Sequence, residues 1–199
     1  ESAAANTVSS DSEAPVVKTQ DITRSLLGGT VSITAAEVDN GSADNWGIAS
    51  LALDKTDFSC RDIGSNQVVL TATDKAGNSS SAQAVVRIEG TVPAPVIAVT
   101  RADATPTGLG ANAIVLGYGA QSVTLTASDA TAGSSSGFAW TPGDGLSSTN
   151  GASTQFAPSA AGSYDFRVQA VNQNGCRAES SVTIPVIDAR CKGNKVLVC

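Results

Sequence analysis

The chain has 199 residues, 41% hydrophobic but only 4% aromatic, with 18 acidic against 12 basic side chains, no methionine and no histidine. That length fits two domains of roughly 100 residues with cores of Val, Ile, Leu and Ala. A net charge of −6 excludes a Lys/Arg stripe for nucleic acid or a polybasic membrane anchor, and no apolar run approaches the roughly 20 residues of a membrane span.

Taken in order, residues 1–13 are polar and small and read as a linker or N-terminal arm. They lack the basic and apolar regions of a signal peptide, so any export signal has been removed or lies outside this piece. Residues 16–23 alternate weakly. Gly28 and Gly29 supply a turn, and Val31, Ile33 and Ala35 mark a period-2 strand. A polar loop over 37–45 leads to a strand over 46–53, a short one at 58–60, and a longer one from Val68. A turn at 74–78 and a strand over 82–88 complete about seven short strands, the pattern of an immunoglobulin-like sandwich.

Residues 91–95 carry Pro93 and Pro95, which remove backbone donors and favour a stiff, extended linker. The second half repeats the first. Val123, Leu125 and Ala127 match Val31, Ile33 and Ala35, and a Trp-bearing segment follows in each, with Trp46 and then Trp140. Alternation over 164–171, a turn at 172–175 and a strand over 181–184 end the copy. Tyr164 stands where a sandwich places its tyrosine corner. The expected fold class is all-β, two tandem immunoglobulin-like β-sandwich domains at 14–90 and 96–187. A C-terminal tail covers 188–199.

Without histidine there is no Ser-His-Asp or Cys-His centre, and the acids sit in turns without aromatic platforms, so the reading is not an enzyme. One acidic constellation stands out. Sandwich topology brings the start of the first strand, the second-to-third loop and the sixth-to-seventh turn to one pole. There Asp11, Glu13, Asp39, Asp44, Asn45, Asp74 and Asn78 offer hard oxygen ligands to a structural Ca²⁺. The plainer alternative is that these residues simply favour solvated turns. Asp129 and Asp144 are too few for a second site. Cys191 and Cys199 are candidates for a small disulfide loop, while Cys60 and Cys176 read as solitary buried side chains. Trp46, Trp140 and Tyr164 are expected in the cores, leaving Tyr118 as the one free aromatic candidate for a sugar.

On Ala14, Pro15, the 39–45 segment, Phe58, Cys60 and the 66–78 segment, residues 14–89 resemble the HYR-type immunoglobulin-like repeats of large secreted proteins from Bacteroidetes. Relatives carry a cysteine at the position of Trp46, bridged to the cysteine equivalent to Cys60; here that partner is missing. Residues 95–187 are similar to PKD-like domains through the 138–145 segment and the run from Ala161 to Phe166. The resemblance implies a secreted or cell-surface, non-catalytic structural or adhesive segment: a stalk, adhesin or filament component. Its partners would be neighbouring domains, other copies of itself, or surface glycans or proteins. The alternative is a carbohydrate-binding accessory module of a secreted hydrolase. Residues 1–13 and 188–199 are the candidate strand donors for self-assembly.

Overall fold

The computed structural model describes residues 11–101, 109, 110, 112–131 and 135–190, the side chains of 135 and 136 excepted. The chain divides into two compact units, Glu1–Gly90 and Thr91–Cys199.

In the first unit the two longest strands, β5 (Gly64–Asp74) and β6 (Ser79–Glu89), form an antiparallel hairpin. Alternation drives it. Val68, Leu70 and Ala72 of β5 and Ala84, Val86 and Ile88 of β6 are buried, and the intervening residues face outward. β1 (Ile22–Ser25) joins β6 in parallel, and β3 (Ile48–Leu53) joins β5 in antiparallel, giving the order β1-β6-β5-β3. The facing sheet is a pair, β2 (Thr30–Ser32) with β4 (Asp57–Ser59). Phe58 of β4 is buried between the layers.

The second unit has the same plan. β8 (Ile114–Leu116), β13 (Arg177–Asp188), β12 (Gly162–Asn172) and β10 (Ser135–Thr141) form one sheet, with β8 parallel to β13. β7 (Pro95–Arg101), β9 (Val123–Asp129) and β11 (Ser153–Phe156) form the other. Trp140, Phe156, Phe166, Leu125 and Ile184 fill the space between them. Each unit therefore pairs an early strand, β1 or β8, in parallel with its last strand, the arrangement of an immunoglobulin-like sandwich. The Tyr164 hydroxyl donates to the Ala160 carbonyl at 2.9 Å, the tie of a tyrosine corner.

Several local expectations change. The strand through Ala35 stops at Ser32, because Ala35–Val38 forms a helical turn, α1. Its cap was readable: the Glu37 carboxylate accepts from the Thr34 N–H and hydroxyl, a capping box. Val38 of this turn is fully buried, so the segment over 37–45 is not simply a polar loop. Residues 16–19 are held by isolated bridges, Val16 to Ala43 and Thr19 to Asp39, and not by a continuous ladder. The linker's last residue, Pro95, opens β7, and the last strand runs into Asp188 of the expected tail.

Trp46 is the largest correction. It is 44% exposed, whereas Trp140 is 1% exposed. Ladder register explains this. Leu53 pairs with Leu70, four residues before the end of β5, and Trp140 pairs with Val168, four residues before the end of β12. Leu53 is thus the counterpart of Trp140, and Trp46 stands before the strand, next to Gly47 at φ 87°. Cys60 and Cys176 are also not solitary thiols, since both are disulfide-bonded. Cys191 and Cys199 lie outside the described residues.

Two acids of the first unit are strongly tuned. Hydrogen bonding from Arg24, at 2.6 Å, and from Thr34 holds the Glu37 carboxyl at about 2. Lys55, at 2.5 Å, and Ser59 do the same for Asp62, also at about 2. Carboxyls whose folded values are depressed stabilise the fold fully above their unfolded values, 4.5 and 3.8, and lose that contribution as pH falls through the folded ones. Urea unfolding across pH should therefore show a flat first-unit stability above about pH 5 and a decline toward pH 2. Glu37→Gln and Asp62→Asn should each shallow that decline.

Candidate cation site

The turn between β5 and β6 is built on Asp74, which is 2% exposed. One carboxylate oxygen, Oδ1, accepts from the N–H groups of Ala76 (2.8 Å), Gly77 (2.6 Å) and Asn78 (2.9 Å). The other, Oδ2, accepts from Asn78 Nδ2 at 2.8 Å. Burial raises the Asp74 pKa, but these bonds outweigh it, led by the Asn78 side chain and followed by the three N–H groups. The carboxyl ends below its ordinary value and is ionised.

Asn78 does a second job. The same Nδ2 donates to the carbonyls of Asp11 (3.3 Å) and Glu13 (3.1 Å), fastening the lead-in segment to the turn. Asn45 Nδ2 adds a bond to Glu13 Oε2 at 3.0 Å, tying that segment to the loop before β3. In that loop Asp44 Oδ2 accepts from the Trp46 N–H at 2.7 Å. The outcome is a cluster of Asp11, Asp44 and Asp74, each offering an oxygen within 4.8 Å of the others.

Two oxygens of these carboxylates, Oδ2 of Asp11 and Oδ1 of Asp44, are buried with no hydrogen-bond partner among the described residues. A buried carboxylate oxygen without a donor is costly. Like charges at such a separation repel by roughly 3 kcal/mol per pair at an effective dielectric constant of about 20. A cation coordinated by all three removes both penalties at once.

Of the other sequence candidates, Glu13, Asn45 and Asn78 act as ties that bring the segments together. Asp39 does not join the cluster. Its oxygens accept from the Ser42 (3.0 Å) and Gly41 (3.3 Å) N–H groups of its own loop, and Ser42 is the main cause of its lowered pKa. Sequence reasoning found the three acids from topology. It had no means of seeing that Asn78 presents donors, or that Trp46 lies exposed beside Asp44.

The second unit shows the same pole with an amide in place of the turn acid. Asn172 ends β12 as Asp74 ends β5, and its N–H donates to the Cys176 carbonyl as that of Asp74 does to Asn78. Being an amide, Asn172 donates directly to the Thr91 carbonyl at 2.6 Å and accepts from the Cys176 N–H at 2.9 Å. Asp129 accepts from the Ala94 N–H at 2.8 Å. There these hydrogen bonds fix the lead-in segment.

No family model matches the chain, and no curated protein does. Among solved structures it is similar to the N-terminal eight Ig domains of Down Syndrome Cell Adhesion Molecule, at 14% identity and a TM-score of 0.37. That match covers 88% of this chain and 24% of the other. It is also similar to extracellular cadherin domains 1–4 of Protocadherin Gamma B7, at 11% identity and a TM-score of 0.30, over 89% of this chain and 51% of that one. A third is the fibronectin(III)-like modules of Clostridium thermocellum CbhA, at 14% identity and a TM-score of 0.29, over 90% and 95%. The chain thus spans about a quarter of the first of these and about half of the second. Likenesses at this level add nothing to the architecture already read from the strand order.

Proposed function

We propose that the chain is a non-catalytic structural or adhesive segment of a secreted bacterial cell-surface protein, with a structural Ca²⁺ held by Asp11, Asp44 and Asp74 at the leading pole of its first unit. The carrying observation is that two acids clustered with a third, ionised carboxylate each keep a buried oxygen without a partner among the described residues. All-oxygen carboxylate ligation selects a hard cation, and a site assembled from three separate segments suits the looser geometry of Ca²⁺. The ion's role is mechanical. It pins residues 11–13 to the pole, doing for the first unit what Asn172 and Asp129 do for the second.

The chain's kinship to HYR-like and PKD-like repeats belongs to this reading, resting on the motifs quoted from the sequence. Tandem sandwiches, the two prolines at 93 and 95 and the lack of histidine support a spacer or adhesin over an enzyme. A carbohydrate-binding accessory module is the second reading, now favoured by one more observation: Trp46 is exposed as well as Tyr118. Binding on a glycan array that is lost in Trp46→Ala would establish it.

Titration calorimetry with Ca²⁺ should give measurable heat, lost in Asp44→Asn and Asp11→Asn. The first unit should melt about 10 °C higher at a hundredfold excess over Kd than in chelator. No heat and no shift would remove the ion.

A further inference from the structure

The two units share a strand order but treat one sheet edge differently. In the second unit, edge strand β10 is covered by its own chain. The Trp140 N–H donates to the Thr149 carbonyl (2.8 Å), the Gly151 N–H donates to the Phe138 carbonyl (3.0 Å), and Ala139 bridges Asn150. The equivalent edge of the first unit, β3, has no such cover. Only residues 54–56 separate β3 from β4, too few to return along the strand. α1 lies near β3 but gives it no backbone hydrogen bond, and among the described residues β3 pairs only with β5.

β3 also lacks the usual protection of an edge. Ile48–Leu53 contains no charge and no proline, whereas the opposite edge strand, β1, carries Arg24. Its one irregularity, the register shift between Ile48 and Ser50, leaves residues 50–53 in regular pairing. The direction of the free groups follows from the ladder. The Asp54 N–H donates inward to the Val69 carbonyl at 3.2 Å, so two-residue alternation turns the N–H and C=O of Leu51 and Leu53 away from β5. The Leu51 and Leu53 side chains are half-buried on the core side, and Ser50, Ala52 and Asp54 are exposed on the other.

We propose that β3 is a homotypic interface: β3 of a second copy pairs antiparallel with it about a two-fold axis through Ala52, joining two four-stranded sheets into one of eight. In this register Leu51 of each copy lies opposite Leu53 of the other, so their outward N–H and C=O groups satisfy one another on both sides of the axis. Core-facing leucines stay on the core side, as period-2 register demands. The two Ala52 methyls meet at the axis, where the two strands' side chains come closest. Ser50 of each copy falls opposite Asp54 of the other, a hydroxyl donor facing a carboxylate whose Oδ1 alone is used internally, by the Val69 N–H. The register opposes no like charges. The interface involves neither the cation cluster nor either of the expected strand-donating termini.

Sedimentation of the whole chain up to about 1 mM should show a reversible monomer–dimer equilibrium. Ala52→Lys, which sets two ammonium groups face to face at an exposed position, should shift that equilibrium at least tenfold toward monomer without changing the melting temperature. Ala52→Cys should form a disulfide-linked dimer under mild oxidation, because Cα atoms of such a pair lie about 4.5 Å apart, within disulfide reach. Gln83→Cys, exposed on the interior strand β6, should not. A chain that stays monomeric throughout, a dimer that survives Ala52→Lys, or equal cross-linking at 52 and 83 would each overturn the assignment. Repeating the sedimentation in chelator separates this interface from the ion: it should persist.

Discussion

Trp140→Ala should be the most destabilising single substitution in the second unit, by about 3–5 kcal/mol. The indole is 1% exposed and packs in the cluster with Ile114, Leu125, Phe156, Phe166 and Ile184. Its Nε1–H donates to the Gly151 carbonyl at 2.9 Å. Truncation therefore opens a large cavity and also releases an acceptor in the segment covering the β10 edge. Against a total of about 5–15 kcal/mol for a domain, that loss brings the second unit to the margin of stability. Denaturant unfolding followed by circular dichroism should show one early transition and one unchanged. Trp46→Ala is the matching control: an exposed tryptophan outside the core should change stability by no more than about 0.5 kcal/mol. Equal effects would mean that the two tryptophans are counterparts after all.

Asp74→Ala should be the corresponding lesion in the first unit. Four donors converge on this side chain, three of them backbone N–H groups of the turn, and alanine removes the side-chain acceptor of all four, leaving Gly77 only its 3.4 Å bond to the Asp74 carbonyl. Asn78, having lost its anchor, would no longer hold the carbonyls of Asp11 and Glu13. A fall in melting temperature on the order of 10 °C is expected without added cation. Asp74→Asn separates architecture from charge. Its remaining oxygen can still accept from the turn, but its NH₂ would face the Asn78 NH₂, so a smaller loss is expected. Any stabilisation by Ca²⁺ should vanish in both variants. If Asp74→Asn kept the full calcium response, the carboxylate would not be a ligand.

Much of the architecture was legible because sandwich strands alternate. Val68, Leu70 and Ala72, and later Phe166, Val168 and Ala170, announce a buried face at every second residue, and β5, β6, β12 and β13 follow. The seven-residue strand β7, which opens on the linker's Pro95, was not picked out; nor were the short strands β8 and β11, and α1 was read through as strand and loop. A run of three or four residues carries too little periodicity to compete with its tertiary surroundings. The helical turn had a local signal in Thr34 and Glu37, but its reason to exist is the burial of Val38.

The acidic pole divides in the same way. Topology alone brings Asp11, Asp44 and Asp74 toward one end, since three chain segments meet there in any such sandwich. Which acids share a site depends on hydrogen bonds a few ångströms long. Asp39 is consumed by its own loop, and Asn78 serves as donor to two carbonyls. The amino-acid sequence by itself determined the class: two small, histidine-free, all-β sandwiches with acids in their turns. Only the tertiary structure decided that Trp46 faces water, that Asn172 replaces an acid at the second pole, and that no described residue covers the edge of β3. Periodicity is a property of neighbours along the chain. Exposure, orphaned oxygens and open edges are properties of what the rest of the chain leaves unfilled.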